Sequence, residues 1–119
     1  MDYAENGSSL LQFQLGQMFQ RGNDKTRDYR QAAKWYALSA KQGYRKAQHL
    51  LGAMYAQGRG VARNHIKAYA WCKVSASQHS RRALLKLKKI ETKMSAKQIY
   101  DARKLSRLYY EMYVVPFAF

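Results

Sequence analysis

His65, Cys72 and His79 are the residues of this 119-residue chain whose types invite metal chemistry, and their spacing of seven argues against it. Such spacing places all three on one helix face. At a rise of about 1.5 Å per residue, however, neighbours stand roughly 10 Å apart, too far for one ion whose ligand bonds are about 2 Å long. No metal site is expected. Cys72 is the single cysteine, so no internal disulfide can form. It stands where an internal repeat has Tyr36, which suits a packed side chain better than a nucleophile. No Ser-His-Asp order, paired-carboxylate motif or His-Glu-x-x-His signature occurs, and 7 Asp and Glu leave few general acids or bases. Gly58-Arg59-Gly60 is too short for a phosphate loop and reads as a turn. The expectation is a chain without catalysis and without a cofactor.

Charge offers a different chemistry. The chain carries 22 Lys and Arg against 7 Asp and Glu, a formal net charge of +15, which predicts attraction to an acidic protein, a nucleic acid or an anionic lipid. Between Arg81 and Arg107 stand ten basic residues and two acidic ones, Glu91 and Asp101. Two readings stay open for this stretch: solvated helix faces, or a functional basic surface. No apolar run approaches the roughly 20 residues of a membrane span.

The elements that must position these charges follow from an internal repeat. Leu51-Gly52-Ala53-Met54-Tyr55 and Ala68-Tyr69-Ala70-Trp71 echo Leu15-Gly16-Gln17-Met18-Phe19 and Ala32-Ala33-Lys34-Trp35-Tyr36, at an offset of about 36 residues. Units of that length stack as helical pairs, because none can bury its apolar face alone. Ser9 with Gln12 is a candidate capping box for a first helix ending at Gly22, and Asp28 caps a second that closes at Gly43. A third spans Tyr44 to Gln57, and Asn64 opens a fourth running to about Gln78. Ser80 caps a fifth helix, and the pair Ser95 and Gln98 opens a sixth. Gly16, Gly52, Ala32, Ala68, Ala40 and Ala76 recur in register, where small side chains let helix axes approach to about 8–10 Å.

The pattern Ala47-x-x-x-Leu51-Gly52-x-Met54-Tyr55-x-x-Gly58-x-Gly60-Val61, followed by Ala68-x-x-Trp71 and Ser75-Ala76, resembles a Sel1-like repeat, a relative of the tetratricopeptide repeat. The resemblance implies an all-α, right-handed α/α superhelix of about three hairpins and six helices. It also implies a non-enzymatic adaptor or scaffold in a bacterial cell, with cytoplasm and periplasm both open as compartments. On this reading 7–43 is repeat one, 44–79 repeat two, 80–113 a C-terminal capping hairpin and 114–119 an apolar tail. The segment 1–6 resembles the end of a preceding repeat helix, so more chain, and with it an export signal, is expected before Met1. Asn23-Asp24-Lys25 replaces the usual Gly-Val turn, and His79 replaces the expected helix-ending glycine.

In tetratricopeptide-like geometry the first helix of each pair lines a concave face. The expected groove therefore displays Phe13, Gln17 and Arg21, then Lys46, His49 and Gln57, then Arg82, Leu85, Lys89 and Lys93. Its basic rim would orient an acidic segment of a partner protein, with Phe13 or Leu85 as apolar anchor unless these two simply pack on neighbouring helices. The second reading is nucleic-acid binding through the basic C-terminal helices. The apolar end, with Tyr110, Tyr113, Phe117 and Phe119, either folds back over the stack or forms a second interface, including one for self-association.

Overall fold

The computed structural model describes residues 7–22 and 27–117. Within them the chain forms six α-helices: α1 (Ser9–Arg21), α2 (Tyr29–Ala40), α3 (Arg45–Gln57), α4 (His65–Ala76), α5 (Arg81–Glu91) and α6 (Ala96–Tyr113). A single 3₁₀ turn follows at Val115–Phe117. The fold is all-α, as the periodicity implies. Consecutive helices pack as hairpins, α1 on α2 and α3 on α4, and the hairpins stack through α2 on α3 and α4 on α5. The closing helix α6 lies mainly on α4, so α5 and α6 meet chiefly through it. The expected end of a preceding helix at 1–6, the Asn23-Asp24-Lys25 loop and Phe119 lie outside the described residues.

Local chemistry accounts for the helix starts. The side chains of Asp28, Asn64 and Ser80 accept hydrogen bonds from the backbone N–H groups of Gln31, Lys67 and Ala83, and Ser95 and Gln98 form a reciprocal capping box. Two boundaries differ from expectation. Helix α1 is capped by Ser8, not Ser9, because the Ser9 carbonyl accepts the Ser39 hydroxyl at 2.8 Å and Gln12 is drawn into the interior. Helix α4 ends at Ala76, short of Gln78, where the chain turns over and His79 takes a left-handed φ of 69°. That is the conformation Gly43 holds one repeat earlier, at 86°.

The two repeats share more than their apolar residues. Gln42 donates to the Gln12 side-chain oxygen at 2.8 Å, and 36 residues on Gln78 donates to Gln48 at 2.6 Å. The Ser39 to Ser9 bond has the same counterpart, Ser75 to the Arg45 carbonyl at 2.8 Å. Each hairpin thus closes with one half-buried amide pair and one hydroxyl-to-backbone bond, which satisfies polar groups that packing removes from water. The third unit drops this device: Leu84 and Val114 stand where Gln48 and Gln78 would recur. In its place Trp71 stacks on Tyr109 and Tyr113, with ring centroids 4.5 and 5.5 Å away.

Candidate functional site

The repeat register lays three ladders along the first helices of the units: positions 9, 45 and 81; 10, 46 and 82; and 13, 49 and 85. The last two units fill the first two ladders with Arg45 and Lys46, then Arg81 and Arg82, all four in first helical turns. Cations there oppose the helix dipole, which favours negative charge at an N-terminus, at a cost of about 0.3–1 kcal/mol each. Neither helix has an acidic residue in its first turn to compensate. A local rule broken twice in register is a mark of a functional surface.

Those residues line a cavity of about 790 Å³ between α1, α3 and α5. Among the described residues Arg21, Arg27, Arg45, Lys46, Arg81 and Arg82 reach it, with Phe13, Gln17, Gln20, Tyr29, Tyr36, His49, Leu50 and Ser80 between them and no acidic side chain. Phe13, Gln17, Arg21, Lys46, His49 and Arg82 of the expected groove thus come together. Leu85 and Lys89 line a neighbouring recess of about 380 Å³ that shares His49, Leu50 and Arg82 with the first. Gln57 and Lys93 stand further along, in a hollow of about 240 Å³ that shares Lys86 and Lys89 with the second. The groove is thus a run of three hollows joined by common walls.

The two apolar candidates differ. Phe13 is only 7% exposed and packs on Tyr36 and Tyr44, so it belongs to the core that walls the cavity. Leu85 is 64% exposed and free to make contact. In the C-terminal segment Tyr113 is tied to Trp71, while Tyr110 and Phe117 stay partly exposed. The 3₁₀ turn lies against Gly43, where an added Cβ would stand 2.9 Å from the Tyr113 carbonyl oxygen and 3.3 Å from the Phe117 Cβ.

Arg27, Arg45 and Arg81 were not among the expected groove residues. The signal for the last two was present, since Arg45 and Arg81 are one repeat apart. Arg27 lies in the loop before α2, where helical register gives no guide, and its Nε donates to the Gly22 carbonyl at 3.0 Å.

Electrostatics single out His49. It is 7% exposed, and neither ring nitrogen has a hydrogen-bond partner. Burial first, then the charges of Lys86 and Arg82, lower its pKa to about 4. The unfolded chain binds this proton near the ordinary pKa of about 6.5, so stability falls as pH drops through 6.5 and the loss levels off below 4. We expect the wild type to lose roughly 2–3 kcal/mol between pH 7 and 4.5 from this group in chemical denaturation, and His49→Gln to lack that part of the slope. An identical slope in both proteins would show that His49 is not its source. Burial also pushes the Cys72 thiol up to about 12, so it is inert as a nucleophile at neutral pH. Among the described residues no three His, Cys, Asp or Glu side chains converge as a metal site, and no helix is long and apolar enough to cross a membrane.

The family model described as Sel1 repeat matches residues 9–44 and 45–80. Two solved structures are similar. One is c5321, a protective antigen present in uropathogenic Escherichia coli strains and displaying an SLR fold, with TM-score 0.89 and 34% identity over 96% of this chain and 25% of that one. The other is a Sel1 repeat protein from Oxalobacter formigenes, with TM-score 0.70 and 37% identity over 73% of this chain and 25% of that one. This chain therefore spans about a quarter of the length of each. No curated protein matches it.

Proposed function

We propose that this chain, which belongs to the Sel1 repeat family, works as a non-enzymatic interaction scaffold whose basic groove binds an acidic segment of a partner protein. The premise is a stack of helical pairs, an architecture that leaves an extended surface free for a partner. The observation that carries the reading is the cavity between α1, α3 and α5, lined among the described residues by six cations and no acid. Guanidinium groups suit this task, because each can hold a carboxylate through two parallel hydrogen bonds. Leu85, exposed beside Arg82 and Lys89, supplies an apolar contact for a segment that mixes acidic and apolar residues.

The cavity favours carboxylates over a nucleic acid because it offers no free aromatic face. Single strands bind by stacking bases on aromatic rings, yet Phe13 and Tyr36 are buried against other side chains and the half-buried Tyr29 ring has Arg59 and Arg27 over it. The basic C-terminal stretch is also divided. Arg82, Lys86, Lys89 and Lys93 face the hollows, whereas Lys104 lies over the Tyr100 ring and Arg103 donates to the Tyr69 hydroxyl.

The test is affinity capture from nuclease-treated host extract with the wild type beside a Lys46→Glu, Lys89→Glu variant, followed by titration of an acidic segment of any captured protein. We expect the double reversal to weaken binding at least a hundredfold with an unchanged melting temperature. Unaltered affinity would place the site on another face. Binding that disappears on nuclease treatment would assign the charge to nucleic acid.

A further inference from the structure

The groove holds one polar group that the helical stack does not use. His49 is more than nine-tenths buried, both of its ring nitrogens lack partners, and it stands in the wall shared by the first two hollows. A buried donor left without an acceptor costs about 1–3 kcal/mol, and a sequence that needed only packing there would place an apolar residue, as it does with the buried Phe13 on the same ladder.

We propose that His49 receives a carboxylate of the bound acidic segment beside Arg82 and Lys86, and that seating this carboxylate brings a proton onto the imidazole. The inference rests on the binding mode proposed above and adds to it a proton-coupled contact. Its groundwork is the set of charges around His49. From α5 come Arg82 and Lys86, with Arg81 and Lys89 in the same hollows. Helix α1 contributes Arg21, the following loop Arg27, and α3 itself Arg45 and Lys46. Tyr29 and Tyr36 complete the wall, and from α4 Cys72 stands close enough to influence Lys86. None of these described residues is an acid, so none of them favours a charged imidazole.

A ligand carboxylate reverses this. It offsets Arg82 and Lys86, gives the ring N–H an acceptor, and makes imidazolium the favoured form. Arg82 is an exposed side chain, and α5 touches α3 only lightly, so the long chain of Arg82 is free to turn toward the incoming group beside the half-buried Lys86. Proton uptake and binding then strengthen each other by the same factor. If the bound imidazole returns to an ordinary pKa near 6.5, affinity rises about tenfold from pH 7.5 to 5.5, a range in which the ligand's carboxylates stay ionised.

The probe is a ten-residue peptide alternating glutamate and alanine, titrated by calorimetry at pH 5.5, 6.0 and 7.5 in buffers of different ionisation enthalpy. The wild type is expected to show the tenfold gain and roughly three-quarters of a proton taken up per complex at pH 6. His49→Gln is expected to bind with no gain and no uptake. Imidazole proton resonances of the wild type, followed against pH with and without peptide, read the same event should that variant fail to fold. Equal affinity at all pH values, absence of uptake, or an unmoved His49 titration would overturn the proton coupling and leave the acidic-segment reading standing. A chain that ignores the peptide at every pH yet binds an oligothymidine strand would overturn both.

Discussion

Gly52→Leu is expected to remove about 3 kcal/mol or more of stability and to lower the melting temperature by about 10–15 °C. A Cβ at position 52 would stand 2.6 Å from the Cys72 sulfur, 3.1 Å from the Ala68 carbonyl oxygen and 3.3 Å from the Cys72 backbone nitrogen. Two of these three neighbours are helix backbone, so no rotamer change relieves the contact and α3 must move off α4. That movement opens both halves of the interior, since Leu51 and Met54 belong to one core cluster and Cys72 and Ala68 to the other. Removing a glycine from a helix interior returns only about 0.5–1 kcal/mol. A chain of 119 residues has a total stability of roughly 6–18 kcal/mol, so the variant loses a large share of it. Gly16, one repeat earlier, is the internal control. The three atoms nearest its added Cβ all belong to the Tyr36 ring, the closest at 2.6 Å, and none is backbone. Gly16→Leu should therefore cost less than Gly52→Leu in the same denaturation experiment. The reverse order, or an unchanged Gly52→Leu melt, would show that close approach of α3 and α4 does not hold the stack.

Both glycines were legible in the sequence because the reason for them is repetitive: a small residue recurring at about 36 positions marks a place where backbones meet. Most helix starts were legible for a local reason, since Asp28, Asn64, Ser80 and Ser95 each need only a partner three residues on. The Ser8 cap was misplaced by one residue because the choice between Ser8 and Ser9 depends on Ser39, which lies 30 residues away. Gln12 and Gln48 were missed for the same cause. A glutamine on a helix reads as surface until its partner is known, and here the partners are Gln42 and Gln78 at the ends of the same hairpins.

The groove divided along the same line. Lys46, His49 and Arg82 were expected there from the tetratricopeptide-like geometry that the resemblance implies, whereas the burial of Phe13 depends on Tyr36 and Tyr44 closing over it. The unpartnered state of His49 is a property of three dimensions and leaves no trace in spacing. Its ladder partners Phe13 and Leu85 are apolar, however, and a histidine between them was the one available hint.

The path of the C-terminal segment depends on one side chain in the same way, and Trp71→Ala is expected to show it. Trp71 is buried in the first core cluster, and its ring lies against both Tyr109 and Tyr113. Truncating a buried tryptophan costs about 3–5 kcal/mol, and each lost aromatic pair adds about 0.5–1.5 kcal/mol within that range of effects. The damage should be local in a way that the glycine variant's is not. With Trp71 gone, the end of α6 loses the surface that holds Tyr113 beside Gly43, and Val114 and the 3₁₀ turn lose their seat with it. Backbone amides from Tyr109 to Phe117 should then exchange with solvent deuterium far faster, while those of α1 and α2 keep most of their protection. Trp35→Ala is the matched comparison. Trp35 holds the equivalent repeat position and is also buried, but its ring has Lys34 over it rather than the tyrosines of α6. It should lower stability without selective exchange at the C-terminal end. If Trp71→Ala leaves α6 as protected as the wild type, the helix is held by Ala102 and Ile99 against α4, and the aromatic stack is only its cover.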